Sequence, residues 1–200
     1  MNLRLGFLAS YNGSSMQAIC AAIQAGQLHA EARVVISNNS QSHVLAFARK
    51  IAIPAYHLSL KTEHTAVMVD CKLRDTLLAH EVNLVILSGY MKKLGPQTLA
   101  AYKHRILNIH PALLPKFGGQ GMYGDHIHAA VLAAQEPETG ITIHLVDEYY
   151  DHGPIIAQRR LPVFPTDTTE SLALRVKTQE GAFFVEVLQQ LAEAGLPQIS

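Results

Sequence analysis

The stretch that organises the rest of the chain is LNIHPALLPK, residues 107–116. Asn108 and His110 lie two apart in an apolar run, so strand geometry turns both side chains to the same face. Pro111 and Pro115 then end the strand, because proline cannot donate to a ladder. The pair therefore lies at the carboxyl end of a predicted strand, where open α/β sheets bind their ligands. An amide donor and a titratable ring suit acyl-type transfer, since one can hold a developing oxyanion while the other moves a proton.

The hydrophobic pattern alternates between strand and helix periods along the chain. Strands are predicted at residues 4–9, 32–37, 83–88, 105–109, 141–146 and 155–164. Helices are predicted at residues 14–25, 42–51, 62–80, 128–134 and 168–194. The strands before residue 110 are apolar on both faces, which is typical of a parallel sheet covered by helices. The last two predicted strands are typical of an antiparallel pair. We therefore predict one α/β domain over residues 1–200, with a Rossmann-like, mostly parallel sheet flanked by helices and antiparallel strands in its C-terminal half.

Composition narrows the function classes. The 200 residues are 48% hydrophobic and 16% charged, with a formal net charge of zero, which suits one well-buried core. The chain has neither a basic run for nucleic acid nor an apolar stretch of membrane-spanning length. Cys20 and Cys71 lack CxxC spacing, which favours reduced thiols in a cytoplasmic protein. We expect a monomer or homodimer with small-molecule partners, and neither nucleic-acid nor membrane binding.

A second candidate site is the first strand-to-helix turn, ASYNGSS at residues 9–15. Gly13, Ser14 and Ser15 leave backbone N–H groups that converge on a helix N-terminus, which favours binding of a phosphate. GxGxxG and the Walker lysine are both absent, so one monophosphate is favoured over a dinucleotide. The same turn also fits a plain helix N-cap at Ser14.

The third candidate site is HLVDEYYDHGP, residues 144–154. Asp151 precedes a Gly-Pro turn between two predicted strands, which would hold its carboxylate in a fixed place. Near His110, this carboxylate would raise the pKa of the imidazole and orient the ring. The alternative to a functional Asp151 is an aspartate that only forms the turn. The alternative to a functional Asn108 and His110 is a strand end whose polar side chains only form hydrogen bonds with the backbone.

The chain contains eleven histidines, which are common metal ligands. The HExxH motif is absent. A metallohydrolase needs three or four converging ligands. The spacing does not supply them in the pair His126 and His128, nor in His144 and His152 with the neighbouring Asp151. We expect no functional metal and expect most of these histidines to be exposed or satisfied in the core. His144 is predicted to support the site from behind.

Five motifs together resemble the 10-formyltetrahydrofolate-dependent formyltransferases. They are NIHPALLP at 108–115, LSGYMKKL at 87–94, GITIHLVDEYYDHGPIIAQ at 140–158, NGSSMQAI at 12–19 and RVKTQEGAFF at 175–184. The resemblance covers nearly the whole chain, and its most specific parts are the NIHP…LLP strand end and the Asp-x-Gly-Pro turn. It implies transfer of a formyl group, without a metal, from the co-substrate 10-formyltetrahydrofolate to an amine. In motif order, spacing and length the chain most resembles the members that act on glycinamide ribonucleotide, and this resemblance implies the amine of that ribonucleotide as the acceptor, in purine biosynthesis.

The resemblance also implies roles for individual residues. The implied catalytic residues are Asn108, His110 and Asp151. The implied phosphate-binding residues are Gly13, Ser14, Ser15, Lys177 and Glu180. The implied folate-binding residues are Met91, Lys92, Leu94, Val146, Asp147 and Asp151. Residues 1–110 would then form the phosphate-binding half, and residues 111–200 the half with the folate pocket and the closing helix.

Departures from the family pattern leave the acceptor open. Ser15 stands where asparagine is common, His152 where a small or hydroxyl residue is usual, and residues 117–124 differ from the best-known members. The alternatives on the same scaffold are a formyltetrahydrofolate hydrolase, expected to have a regulatory domain ahead of the first strand, and transfer to an amino sugar or methionyl-tRNA. A tRNA enzyme is expected to have a further C-terminal domain and more positive charge. A non-catalytic folate- or nucleotide-binding module is the alternative from another class.

Overall fold

The computed structural model describes residues 2–195. Met1 and residues 196–200, which the predicted domain includes, lie outside the described residues. The strands are β1 (Leu3–Leu8), β2 (Ala30–Ser37), β3 (Ala55–His57), β4 (Leu84–Leu87), β5 (Ile106–His110), β6 (Glu138–Leu145) and β7 (Ile155–Pro162). The helices are α1 (Ser14–Gln24), α2 (His43–Lys50), α3 (Leu60–Glu63), α4 (Ala66–Ala79), α5 (Pro96–Ala101), α6 (Asp125–Ala133) and α7 (Thr169–Ala194).

The strands form one mixed sheet in the order β3-β2-β1-β4-β5-β6-β7. Pairing is parallel from β3 through β5 and antiparallel between β5 and β6 and between β6 and β7. The predicted fold class is therefore confirmed. Because the chain builds outward from β1 on one side and from β4 on the other, the boundary between these strands is the topological switch point where such sheets bind ligands.

Apolar side chains cover both faces of the sheet. On one face α1, α2 and α7 bury residues such as Met16, Val44 and Phe184, and on the other α4 buries Leu73 and Leu77. Each of these four helices buries apolar side chains on the side that faces the sheet. Of the helices in the described part of the chain, none has the length and hydropathy to cross a membrane.

The predicted helix over residues 62–80 is wrong as one continuous element. The chain forms α3 and then α4, and between them His64 has a φ of 65°, a left-handed conformation that ends a helix. Thr65 restarts the helix, because its side chain accepts from the N–H of Met68 as an N-cap. The apolar residues keep the helical spacing of 3.6 through this break, so the hydrophobic pattern cannot reveal it.

The pattern also missed β3 and α5. β3 has only three residues at the edge of the sheet, too few to show an alternation. α5 has Gly95 as its N-cap and Pro96 in its first turn, and neither caps with a side chain. Instead the buried carboxylate of Asp70 on α4 accepts from the N–H groups of Gln97 (2.8 Å) and Thr98 (3.0 Å). A cap from a distant helix leaves no local sequence signal.

The turn that follows β5 is anchored in the neighbouring strands. β5 ends at His110, as Pro111 predicts. The hydroxyl of Thr142 on β6 donates to Ala112 O (2.7 Å) and accepts from Leu114 N (3.1 Å). Gln158 on β7 donates from Nε2 to both Leu114 O and Thr142 Oγ1 at 2.9 Å. The antiparallel strands thus fix the path of the chain beyond His110.

We expect Phe184→Ala to lower the free energy of unfolding by about 3–5 kcal/mol, because Phe184 is fully buried and its loss leaves a cavity. Leu174→Ala on the same helix is the matched control, since Leu174 is 64% exposed and its loss is expected to change stability by less than about 0.5 kcal/mol. Urea unfolding followed by circular dichroism measures both. Equal losses would mean that α7 does not dock through Phe184.

Candidate active site

A cavity of about 1010 Å³ opens at the carboxyl ends of β1, β4 and β5, at the switch point. It is bordered by the turn after β1, the loop after β4, the end of β5, the loop after β6 and one side of α7. All of the predicted site residues line it: Gly13, Ser14, Ser15, Met91, Lys92, Leu94, Asn108, His110, His144, Val146, Asp147, Asp151, Lys177 and Glu180. Three segments far apart in the sequence therefore meet at one place, and their individual roles stay predictions.

Asp151 contacts both Asn108 and His110. The side chains of Asn108 and His110 leave β5 on the same face, and the Asp151 carboxylate lies against both. Asp151 Oδ1 is 3.4 Å from Asn108 Nδ2, and Asp151 Oδ2 is 3.4 Å from His110 Nδ1. Both contacts are longer than the usual range for protein hydrogen bonds.

His144 lies opposite Asn108 in the antiparallel register of β5 and β6. Its Nδ1 is 2.9 Å from Leu145 O, and a carbonyl can only accept, so Nδ1 carries the proton. Nε2 of the neutral ring is then an acceptor, and Asn108 Nδ2 donates to it at 3.0 Å. His144 therefore fixes the orientation of the Asn108 amide, with the second amide hydrogen directed at Asp151.

Asp151 is held by its backbone as well as by its partners. Its φ of 54° is in the left-handed region, and Asp151 Oδ2 accepts from Gly119 N at 3.1 Å. At Gly153 a Cβ would lie 2.0 Å from Leu145 O, so only glycine lets the loop close this tightly against β6. The carboxylate is thus fixed in place, and its contacts with Asn108, His110 and Gly119 N favour the predicted site residue over an aspartate that only forms the turn.

The expected upward shift in the pKa of His110 is wrong. Burial lowers the pKa of His110, and this effect outweighs the opposing charge of Asp151 and the hydrogen bond to Phe117 O. For Asp151, burial acts to raise the pKa, but contacts with His144, His110 and Gly119 N–H together bring it below its ordinary value. At neutral pH the site therefore contains a neutral imidazole beside an ionised carboxylate.

The turn after β1 has the features of an anion cradle. Gly13 has a φ of 61° and precedes α1. Within the described part of the chain, the N–H groups of Gly13, Ser14 and Ser15 have no hydrogen-bond acceptor, whereas Met16 N donates to Ser88 Oγ at 3.0 Å. Free N–H groups at a helix N-terminus attract a phosphate. A Cβ at Gly13 would lie 2.6 Å from Val44 Cγ2, so substitution there disturbs the protein itself and not only a ligand.

Lys177 and Glu180 of α7 line the same cavity. Burial raises the pKa of Glu180 to about 7, and the nearby charge of Lys177 opposes that shift only in part. Below pH 7 the Glu180 carboxyl is therefore mostly neutral, so it can donate a hydrogen bond and does not repel an anion.

The predicted folate walls line the same cavity from the loops after β4 and β6. Met91 is anchored because its N–H donates to Ser10 Oγ at 2.8 Å, while its side chain is exposed to the cavity mouth. Asp147 accepts from Tyr149 N (2.8 Å) and pairs with His152 Nδ1 (2.9 Å). The unusual His152 thus braces the loop after β6, and the sequence pattern did not anticipate this pair.

Sequence reasoning missed two contributors to the site. His128 on α6 is 5% exposed and lines the cavity, and its buried Nδ1 has no hydrogen-bond partner among the described residues, so it is an exception to the expectation stated for most of the histidines. Phe117 O accepts from His110 Nε2 at 2.8 Å. A backbone carbonyl has no side-chain signature, and the only sequence signal is the following Gly118-Gly119, typical of a tight turn. Among the described residues, no group of three or more His, Cys, Asp or Glu is placed to hold a metal ion.

Comparison with known proteins now identifies the family. The sequence profile described as formyl transferase matches residues 3–188. The chain belongs to the formyl transferase family. The resemblance inferred from its motifs is therefore confirmed.

Relatives within the formyl transferase family cover nearly all of this chain. The chloroplastic phosphoribosylglycinamide formyltransferase of Vigna unguiculata is 40% identical over 95% of the chain, which spans 61% of that protein. The phosphoribosylglycinamide formyltransferase of Bacillus subtilis is 34% identical, and the match covers 94% of both proteins. The phosphoribosylglycinamide formyltransferase structure from Coxiella burnetii is 36% identical with a TM-score of 0.91, covering 100% of this chain and 92% of that one.

For Asp151→Asn we expect the pKa of His110 to fall further below its ordinary value. The substitution keeps the shape of the side chain but removes the negative charge that favours the protonated ring. NMR titration of the His110 ring measures the change. Asp147→Asn is the control, since Asp147 lies in the same loop and pairs with His152 instead. An unchanged His110 pKa in Asp151→Asn would remove the electrostatic coupling of the pair.

Proposed function

We propose that this chain transfers a formyl group from 10-formyltetrahydrofolate to the amine of glycinamide ribonucleotide, a step of purine biosynthesis. The observation that carries the proposal is the contact of Asn108, His110 and Asp151 in a cavity that also contains the free N–H groups of residues 13–15. Family membership and relatives named for this reaction support the choice of acceptor.

Asn108 is placed to stabilise the tetrahedral intermediate. Attack of the amine on the formyl carbon moves an electron pair onto the formyl oxygen, and the resulting oxyanion needs a donor. One Asn108 N–H is committed to His144, while the other makes only the 3.4 Å contact with Asp151. A formyl oxygen could replace Asp151 as the acceptor for this second N–H. The amide is already oriented by His144, and only a long hydrogen bond would be lost.

His110 and Asp151 are placed to move the proton. The attacking amine must lose a proton and N10 of the folate must gain one as its bond to carbon breaks. A neutral imidazole can accept the first proton, and the carboxylate 3.4 Å from Nδ1 stabilises the imidazolium that forms. Once protonated, the ring adds its charge to the stabilisation of the oxyanion and can return the proton through water.

The two ends of the cavity suit the two substrates. The ribonucleotide phosphate fits the N–H groups of residues 13–15, with Lys177 and Glu180 beside the sugar. The folate ring system fits between the loop after β4, with Met91, Lys92 and Leu94, and the loop of residues 146–151. The formyl group would then lie between them, at the end of β5. We further propose that the reaction needs no metal and takes place in the cytoplasm, with the chain as a monomer or homodimer that does not bind nucleic acid.

We expect the purified chain to release tetrahydrofolate from 10-formyltetrahydrofolate only when glycinamide ribonucleotide is present. Turnover is followed spectrophotometrically, with a chelator in a parallel reaction that is expected to have no effect. Asn108→Ala is the control for contaminating activity and should slow the reaction by about 10²- to 10³-fold, as loss of one oxyanion donor does elsewhere. Equal turnover without the acceptor would favour the hydrolase and contradict formyl transfer.

Lys177→Met is expected to raise KM for glycinamide ribonucleotide by about tenfold or more while leaving KM for the folate unchanged. The change removes the charge near the phosphate site but keeps most of the aliphatic stem, and a charge-assisted hydrogen bond is worth about 1.5–3 kcal/mol. Lys103→Met, an exposed lysine outside the cavity, is the control. Steady-state kinetics with each substrate varied separately decide the outcome, and parallel rises in both KM values would place the phosphate elsewhere.

A further inference from the structure

Both ring nitrogens of His110 are engaged by the protein. Nε2 lies 2.8 Å from Phe117 O, and Nδ1 lies 3.4 Å from Asp151 Oδ2. Both partners are acceptors, since the Asp151 carboxylate is ionised, so the shorter of the two contacts indicates which nitrogen carries the hydrogen of the neutral ring. The short contact therefore requires a hydrogen on Nε2, and the neutral ring then has its lone pair on Nδ1.

We propose that the Phe117 carbonyl keeps the proton of neutral His110 on Nε2, so that Nδ1, beside Asp151, is the nitrogen that receives the proton of the attacking amine. Phe117 is then a positioning residue that acts through its backbone. The inference about proton transfer rests on the proposed function, but the assignment of the tautomer does not.

The position of this carbonyl is built into the fold. Phe117 has a φ of 56°, a left-handed conformation uncommon for a bulky side chain. The preceding residues are tied to the sheet through Leu114, whose N–H donates to Thr142 and whose carbonyl accepts from Gln158. On the other side, a Cβ at Gly118 would lie 2.4 Å from Leu114 Cδ2. Anchored on both sides, the Phe117 peptide is held with its carbonyl against the ring.

The assigned nitrogen gives a balanced proton path. The amine nitrogen bonds to the formyl carbon while the C=O electron pair moves to oxygen. The amine proton passes to Nδ1 directly or through water, which forms an imidazolium next to the Asp151 carboxylate. The proton then passes to N10 of the folate as the C–N10 bond breaks and the C=O bond re-forms. No step needs Nε2 to release Phe117 O, so the loop can remain in place during the reaction.

Three titratable groups face His110 from the elements packed around it. Asp151 comes from the loop after β6, His144 from β6 and His128 from α6. The charge of Asp151 favours the protonated ring, and positive charge on either histidine opposes it. The hydrogen bond to Phe117 O also raises the pKa of His110, so its loss should lower that pKa.

The direct test is the ¹⁵N NMR spectrum of the His110 ring in the full chain above its pKa. The two tautomers give clearly different ¹⁵N shifts for the protonated and unprotonated nitrogens. We expect the hydrogen on Nε2 and an unprotonated Nδ1. A hydrogen on Nδ1 in the neutral ring would overturn the proposal. This measurement needs no substrate, so it decides the assignment even if formyl transfer is not detected.

Backbone variants at Phe117 test the positioning role. Phe117→Val and Phe117→Gly both remove the aromatic ring, but only the β-branched valine resists a positive φ. We expect the glycine variant to keep the hydrogen on Nε2 and near-normal kcat. The valine variant should lose the preference for Nε2, its kcat should fall by about 10²-fold, and the rise of kcat with pH should move to lower pH while KM for the ribonucleotide stays unchanged.

Gln135→Val is the matched control, because Gln135 has a φ of 53° but follows α6 outside the cavity. It should lose stability to a similar extent and keep both the tautomer and the pH profile. A folded Phe117→Val protein with an unchanged tautomer and pH profile would overturn the positioning role. If Phe117→Val does not fold, Phe117→Gly decides the positioning role. Loss of the hydrogen from Nε2 in that variant overturns the role, and retention of the hydrogen on Nε2 supports it.

Discussion

The antiparallel register between β5 and β6 is the constraint on which the rest of the site depends. It places His144 opposite Asn108 and Thr142 opposite His110. His144 then orients the Asn108 amide, and Thr142 anchors the turn beyond His110 through bonds to Ala112 O and Leu114 N. A slip of one residue would turn every one of these side chains to the opposite face, because side chains alternate along a strand. The two antiparallel strands thus convert a parallel sheet with a ligand-binding edge into a site with defined polar contacts.

Burial and contact act in opposite directions on the two titratable groups at the centre. Burial disfavours any charge, so it acts to lower the pKa of His110 and to raise that of Asp151. For His110 burial prevails, whereas for Asp151 the opposing influence of His144, His110 and the Gly119 N–H prevails and its pKa is lowered. The result is a neutral base beside a fixed negative charge. This arrangement suits a group that must gain a proton during one reaction and lose it again.

Backbone conformation contributes as much to the cavity as side-chain chemistry. Gly13, Phe117 and Asp151 all have φ values near 60°, and each presents a group to the cavity or to His110. At Gly13 the absence of a Cβ makes room for the side chain of Val44 beside the turn. At the other two positions a non-glycine residue is held in the left-handed region by anchored flanking segments. Such conformations are found where the surrounding structure fixes them, often at functional sites.

The sequence by itself determined the α/β class, the strands that build the sheet apart from the short edge strand β3, and the three segments that meet at the site. Hydrophobic period is a local property, and the spacing of the motifs does not depend on the folded geometry. Only the tertiary structure decided the break at His64, the cap that Asp70 provides to α5 and the role of the Phe117 carbonyl, because each depends on a partner distant in the chain or on a backbone angle. The direction of the His110 pKa shift was likewise decided only by the tertiary structure. A charged neighbour can be inferred from a motif, but burial depends on how the whole chain packs around the ring, and here burial is the larger effect.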